Sequence, residues 1–482
     1  MAVRDARALG PVEGAVDVLI IGGGAAGLTA ALAARDAGAQ ALVAERDAAP
    51  RGTSAMSTGL IPAAGTPEQA AAGIADSPQA MAADILARSG GRADAAVVGR
   101  LAEESAASVA WLQRHGVPLS LVTGFTYPGH GVPRMMGTPN RTGEELMGAL
   151  AQAAEAAGAI ILTEATAAEL WADPDGRIRA VTFARPGGAT ETVACGALVL
   201  ACGGFAGAAD LVARHIPEAA GAVVHSHPGV RGDGVRWGEA LGAELADMDA
   251  WQGHAGLAAG HGVPILWATM VEGGIQVNRA GNRFADESRG YSVQAADVVR
   301  QPGGIAFSIW DSRIEAIMAQ FDDHRDAHRA GAIVRADSVE ALAAALRLPA
   351  AALADALDEA AAHAASGVPD RFGRRFLPRP ALAPPYFAAR VQGALFHTQG
   401  GLAVTPEGRV CRAGGGLMPN LFAAGGAARG LSGPGAAGYI AGNGLLSATG
   451  LGRLAGLAAA RLALGAATGR HRQGEAAREV AG

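Results

Sequence analysis

Gly22, Gly24 and Gly27 stand at the spacing G-x-G-x-x-G, directly after the apolar, β-branched run from Asp17 to Ile21. That spacing has a chemical use. The first glycine permits a tight turn, the second lets backbone approach a pyrophosphate, and the third lets a helix pack closely on a strand. Residues 28–37 read as that helix, stopped by Gly38, and the backbone leading into it, Ala25 and Ala26 included, offers N–H groups and the positive end of a helix dipole to phosphates. A second short strand, Ala41 to Ala44, ends in Glu45, 18 residues after Gly27. A carboxylate there accepts hydrogen bonds from both ribose hydroxyls and argues against a 2′-phosphate. Strand, turn, helix, strand and acid in this order specify dinucleotide binding; the bland alternative is a glycine-rich turn.

The whole chain narrows the chemistry further. Its 482 residues suggest two or three domains, and with 50% hydrophobic and 17% charged residues it can bury a large core. It contains no lysine, so all 39 basic residues are arginine. This excludes Schiff-base enzymes and the lysine-dependent phosphate loop. A net charge of −6 without basic clusters argues against nucleic-acid binding. Cys195, Cys202 and Cys411 are scattered and build no disulfide framework, zinc ribbon or haem attachment, which fits a reducing compartment. His324-x-x-x-His328 has the i, i+4 spacing of a metal grip but no third ligand, so no metal site is expected and the run reads as solvated charge. The apolar stretch 18–34 is too short and glycine-interrupted for a membrane span, and Arg453 and Arg461 break the one at 441–467. The default expectation is a cytoplasmic protein without a membrane span.

Four further segments give the chain a resemblance. Arg51 to Ile61, with Thr53, Ser54, Thr58, Gly59 and Leu60, resembles the loop that wraps pyrophosphate and flavin in the FAD-dependent fumarate reductase and succinate dehydrogenase flavoproteins and their 3-ketosteroid dehydrogenase relatives. Leu198 to Phe205, with its turn at Gly203, resembles the strand that re-enters their cofactor domain. Gly232-Asp233-Gly234 resembles their flavin-side G-D-G. Leu421 to Gly426, followed by Ala441 to Leu446, resembles their C-terminal flavin segment. The resemblance covers roughly residues 15 to 465. It implies FAD as cofactor, contacted also by Arg46, Ala167, Gly425, Asn443, Leu445 and Leu446. The succinate dehydrogenases attach flavin to a histidine in the first of these loops; Thr53 or Ser54 stands there, so FAD should be non-covalent. The family also commonly has glutamate where this chain has Gly426, so one cofactor contact is missing or replaced.

The same resemblance nominates catalytic residues. His254, in Q-x-H context, matches the first of two substrate-holding histidines, and His397, in H-T-Q-G-G-L, the second. Where the fumarate reductases place a proton-donating arginine after the G-x-R-F-x-N-E string, this chain has Tyr291, with Arg289 two residues earlier. Where they place a carboxylate-clamping arginine, it has Tyr439. Arginine holds a carboxylate bidentately, whereas a phenol hydrogen-bonds a carbonyl and exchanges a proton. Tyrosine at the first of these positions is what the ketosteroid branch shows, and its Y-P-G-P-G string resembles Leu431 to Gly435, with Gly435 keeping a backbone amide for a carbonyl oxygen. A base role for Tyr291 requires a lowered pKa, which Arg289 is placed to supply.

The elements that must position these residues follow. Thr142-x-x-Glu145 fits a capping box opening a helix to Ala157. Residues 160–163, 168–171 and 177–183 read as an antiparallel meander, with 173–176 as a turn. Residues 339–365 are helical. The resemblance implies an α/β fold: a Rossmann-like FAD-binding domain with a parallel sheet and small meander over 1–249 and 396–465, an inserted α+β capping domain over 250–395, and a disordered tail over 466–482. The expected activity is hydride transfer between FAD and the carbon β to a carbonyl, desaturating a cyclic or steroid-like ketone or reducing the enone, with a small-molecule substrate and an unidentified electron acceptor or donor. Two alternatives stand beside it. One is a dicarboxylate or monocarboxylate reductase, with Arg289, Arg313 and Arg429 as clamp; the other is a non-catalytic FAD-binding subunit.

Overall fold

The computed structural model describes residues 2–124, 126–127, 129–376 and 380–480, with side chains as far as 466. The chain divides into two compact units. The first comprises Met1–Leu211, Ser226–Ala250 and His397–Gly482; the second comprises Val212–His225 and Trp251–Phe396.

The first unit is organised by a nine-stranded sheet. Its centre is Gly14–Ile21, whose last four residues are buried and apolar. It pairs in parallel with Ala41–Ala44 on one side and with Thr190–Leu200 on the other. Ile160–Leu162 adds to the outer edge of Ala41–Ala44, also in parallel. It therefore belongs to the parallel core and not to the expected meander, because the helix Gly143–Ala156 carries the chain back across the sheet before it. The antiparallel meander is built instead from Thr166–Ala172, Ile178–Ala184 and the first half of Thr190–Leu200.

The strand Thr190–Leu200 changes partner along its length. Residues 190–194 pair antiparallel with Ile178–Ala184, and residues 198–200 pair in parallel with Leu417–Ala423. Where the partners diverge, the fully buried Asn420 fills the fork. Its Oδ1 accepts the Ile178 N–H at 2.8 Å, and its Nδ2 donates to the carbonyls of Ile178 and Gly196 at 2.8 and 2.9 Å.

The helix Ala25–Asp36 is buried all round its first ten residues, which accounts for its alanine content. A final helical run, Asn443–Leu446, a π-turn Ser447–Leu451 and the helix Gly452–Val480, packs against it. A Cβ on Gly452 or Gly456 would sit 2.6 or 2.2 Å from the carbonyl oxygens of Ala26 and Ala30, so small residues let the two backbones approach. The helix continues to Val480, through the residues whose composition suggested a disordered tail; alanine, arginine and glutamate are strong helix formers. No helix among the described residues is long and apolar enough to cross a membrane.

Two other expectations are adjusted. The Thr142 hydroxyl caps Glu145 N–H, but the Glu145 carboxylate turns to Asn140, so only half of the capping box forms. The expected helix over 339–365 is two helices, Val339–Leu346 and Ala350–Ser366, because Arg347 is left-handed and Pro349 lacks an N–H to continue the first.

The second unit is a six-stranded sheet around the long strand Tyr386–Thr398. Ile305–Asp311 and Ile333–Ala336 pair antiparallel with it, and Val223–Val224 pairs in parallel. The pairing of Val223–Val224 draws residues 212–225 into this unit, a segment assigned to the first on sequence. The unit holds a buried ion cluster: Arg283 bonds Glu287 at 2.7 Å and Asp370 at 2.6 Å, and Arg374 bonds Glu287 at 2.8 Å.

Candidate active site

The glycine turn is built as its spacing requires. Gly22 has φ +105°, and a Cβ there would lie 2.5 Å from the Ala201 oxygen. A Cβ on Gly27 would lie 1.9 Å from the Gly22 oxygen. Gly24 differs. It has an ordinary φ of −73°, and the nearest atom to an added Cβ is Ser54 Oγ at 3.8 Å. The open face is what a cofactor approaching the backbone needs. Glu45, at the tip of the second strand, accepts the Gly23 N–H at 2.7 Å and the Asp47 N–H at 2.9 Å. Ser54 Oγ accepts the Ala25 N–H at 3.3 Å, and the Thr53 hydroxyl lies 3.1 Å from that of Ser226. Arg46 donates to the Gly229 carbonyl at 3.2 Å and pairs with Asp47. Gly59, at φ +66°, packs on the Thr142 carbonyl, Leu60 is buried beside Met135 and Ala441, and Thr58 is exposed.

The remaining cofactor candidates lie in the same unit. Ala167 is buried at a bulge in its strand. Gly203–Gly204 and Gly425–Gly426 end two adjacent parallel strands and touch: a Cβ on Gly426 would lie 2.7 Å from Gly204 N. The glutamate of the resembled family has no room at this position. Gly425, at φ +59°, abuts Ala26. Leu445 and Leu446 are buried in the short helix that Asn443 opens. Two buried oxygens, Asp233 Oδ1 and Asn443 Oδ1, have no hydrogen-bond partner among the described residues. Burial raises the Asp233 carboxyl, against the pull of Arg46, Arg231 and Arg236. An open glycine face and two orphaned acceptors fit a polar, phosphate-bearing cofactor.

The catalytic candidates form two pairs, one in each unit. In the first unit, His397 stands edge-on to Tyr439 with ring centroids 5.6 Å apart. A Cβ on Gly444 would meet the His397 ring at 3.1 Å, so that glycine admits the imidazole to the start of the helix Asn443–Leu446. Gln399 Nε2 donates to His397 Nδ1 at 2.9 Å, and Ser432 Oγ donates to Gln399 Oε1 at 3.0 Å. Asn443 Nδ2 lies 3.4 Å from the same Ser432 hydroxyl. The Thr398 carbonyl also approaches Nδ1, at 3.4 Å, but the shorter Gln399 contact has Nδ1 accepting, which places the ring proton on Nε2. Burial lowers the His397 pKa to about 4, against a backbone hydrogen bond at Thr398, so the ring is neutral. Burial raises the Tyr439 phenol well above its ordinary value, although backbone hydrogen bonds from Gly442 and Gly444 oppose this. Tyr439 is thus a neutral phenol. Gly435, at φ +75°, faces open space.

In the second unit, His254 lies on the strand Trp251–Ala258 and Tyr291 opens the helix Tyr291–Val299. Gly253 brings them together: a Cβ there would lie 2.5 Å from Ala295, and its N–H donates to Ser292 Oγ at 2.9 Å. The His254 and Tyr291 rings are 5.2 Å apart. Phe396 stacks on His254 at 4.9 Å, and Trp267 stands edge-on to both His254 and Tyr291 at 6.5 Å. His254 Nδ1 accepts the Gly256 N–H at 3.1 Å. Burial, then the charge of His225, lowers its pKa to about 3.

The arginines nominated as a carboxylate clamp are engaged elsewhere. Arg289 pairs with Asp297, which takes up the charge expected beside Tyr291. Arg429 is held by Asp94 at 2.9 Å and Asp247 at 2.7 Å. Arg313 donates to the Glu272 carbonyl at 2.8 Å. Gln399, Ser432, Trp267 and Phe396 were not foreseen. Only Gln399 carried a signal, two residues after His397 and therefore on the same face of an extended strand.

Known proteins resemble this chain over most of its length. The family model described as an FAD binding domain matches residues 17–445. A probable fumarate reductase, Ifc3, of Shewanella frigidimarina is 29% identical over 471 residues, covering 96% of this chain and 77% of the relative. The open conformation of a flavocytochrome c3 fumarate reductase superposes with TM-score 0.81 at 27% identity, over 94% of this chain and 79% of that one. The 3-ketosteroid-Δ4-(5α)-dehydrogenase of Rhodococcus jostii RHA1, in complex with 4-androstene-3,17-dione, gives TM-score 0.74 at 26% identity, over 95% and 99%.

Proposed function

The chain belongs to the FAD binding domain family and is an FAD-dependent oxidoreductase acting on CH–CH bonds, and on that premise we propose that its substrate is a neutral ketone or enone, a cyclic or steroid-like one first among them. When bound, FAD accepts or supplies the hydride at N5. In the desaturating direction Tyr291, as a phenolate that has already released its own proton to solvent, takes the proton from the carbon α to the carbonyl while hydride leaves the β carbon for bound FAD, and the C=C bond forms between them. His397, through Nε2–H, Tyr439, through its hydroxyl, and the Gly435 amide hold the carbonyl oxygen, whose growing negative charge acidifies the α carbon. His254 stands beside Tyr291 as a neutral ring. Reduction of the enone is the same path reversed.

The observation that carries this reading is the partner of His397. It is the phenol of Tyr439 at 5.6 Å, with no guanidinium supplied by Arg429, which two carboxylates already neutralise. A neutral histidine and a phenol suit a carbonyl oxygen better than a dianion. The names of the fumarate reductase relatives favour the second reading, an unsaturated carboxylate.

Anaerobic rapid mixing separates these readings. Oxidised enzyme should bleach with saturated cyclic ketones, and reduced enzyme should reoxidise with enones. Saturable reoxidation by fumarate, with none by enones, overturns the proposal. A flavin inert to both classes likewise overturns it.

A further inference from the structure

The pair His324-x-x-x-His328 acquires the third ligand that the sequence did not offer. His324 and His328 lie on the helix Asp322–Arg329, and Glu315 lies on the preceding helix Ser312–Met318. Both Nε2 atoms converge on one carboxylate oxygen: Glu315 Oε1 is 2.9 Å from His324 and 2.6 Å from His328. The three ligand atoms all lie within 4.8 Å of one another. Tetrahedral zinc bonded at ordinary distances separates its ligand atoms by about 3.3 Å. A widening of a fraction of an ångström therefore turns the hydrogen-bonded triad into a chelate.

The surroundings support that use. Trp310 Nε1 donates to Glu315 Oε2 at 2.8 Å, which fixes the carboxylate and leaves Oε1 to the histidines. His324 is buried, with Nδ1 lacking a partner among the described residues, whereas the His328 side chain is 41% exposed and leaves a route for an ion and its remaining water.

We propose that Glu315, His324 and His328 form a binding site for a divalent late transition metal, zinc first, that pins these two helices together. Two imidazoles and one carboxylate suit zinc, nickel or copper and not magnesium or calcium, which prefer all-oxygen shells. Coordination through Nε2 moves the His324 proton to Nδ1, where no acceptor waits. This incomplete outer shell costs roughly 10–100-fold in affinity.

The test is calorimetric titration of chelator-treated, FAD-loaded enzyme with zinc chloride. One equivalent per chain should bind and raise the melting temperature. His328→Ala alters an exposed side chain and should fold; it and Glu315→Gln should each weaken binding at least about tenfold and abolish the thermal shift. Absence of saturable binding, or binding unchanged in His328→Ala, overturns the proposal and leaves the triad as an ion pair between helices.

Discussion

Gln399 Nε2 lies 2.9 Å from His397 Nδ1 and dictates which nitrogen of that ring carries the proton. The imidazole can therefore present only N–H to a substrate oxygen from Nε2. Gln399→Leu removes the lock and leaves Ser432 without its acceptor. Flavin reduction by a ketone should slow about 10–100-fold, with flavin content unchanged and substrate affinity little altered, as for an interaction that matters most in the transition state. Single-turnover kinetics read this directly; an unchanged rate would remove His397 from the oxygen-binding role.

Tyr291→Phe deletes only a hydroxyl. With the phenol as proton carrier, the rate of flavin reduction should fall by roughly 10²–10⁴, while the flavin spectrum stays as in the parent. A change confined to KM would make Tyr291 a packing residue beside His254.

Gly24→Ala isolates the cofactor from the fold. The added methyl meets nothing closer than 3.8 Å and the backbone is unstrained, so the protein should fold. It should nevertheless purify with a much reduced flavin-to-protein ratio, because the methyl occupies the face left for a phosphate. Gly10→Ala, also in open space but remote from the turn, is the control. Full flavin content in Gly24→Ala would argue that the open face serves no ligand.

Acid should weaken the protein through its buried histidines. His254 and His397 titrate near 3 and 4 in the folded chain and near 6.5 when unfolded. The unfolded state therefore binds more protons below about pH 6.5, and stability falls as pH drops through the folded values. Above that range these two rings contribute a constant amount. Melting temperatures across pH 4 to 8 should show a plateau at the alkaline end and a decline on the acid side that is shallower in His397→Asn.

Arg283→Met leaves Asp370 without its cation and Glu287 with only Arg374. Breaking a fully buried pair costs about 3–5 kcal/mol, on the order of 10 °C in melting temperature. Differential scanning calorimetry reads it, and a shift of only a degree or two would mean that solvent reaches the cluster.

The sequence is most legible where backbone chemistry leaves little choice. Gly22 and Gly27 are forced by contacts under 3 Å, and Glu45 ends its strand where the turn needs a carboxylate. It is least legible where distant segments meet. His254 and Tyr291 are 37 positions apart and come together because Gly253 has no side chain, a fact visible only once helix and strand are in place. Ile160–Leu162 reads as a meander strand from its neighbours, yet the crossover helix before it makes it a parallel edge. Arg289 stands near Tyr291 in sequence, but Asp297, nearly two turns into the helix that Tyr291 opens, offers a carboxylate, and the salt bridge goes there.

Asn420 has a consequence for how this protein is made. The strand it stands on is needed beside Leu198–Leu200, but it leaves the ribosome more than two hundred residues later. Until then a hydrophobic strand edge in the nucleotide half has no neighbour, and the turn at Gly425 does not exist. Flavin capture must therefore await synthesis past residue 425, and nascent chains released before residue 423 should be colourless and dependent on chaperones.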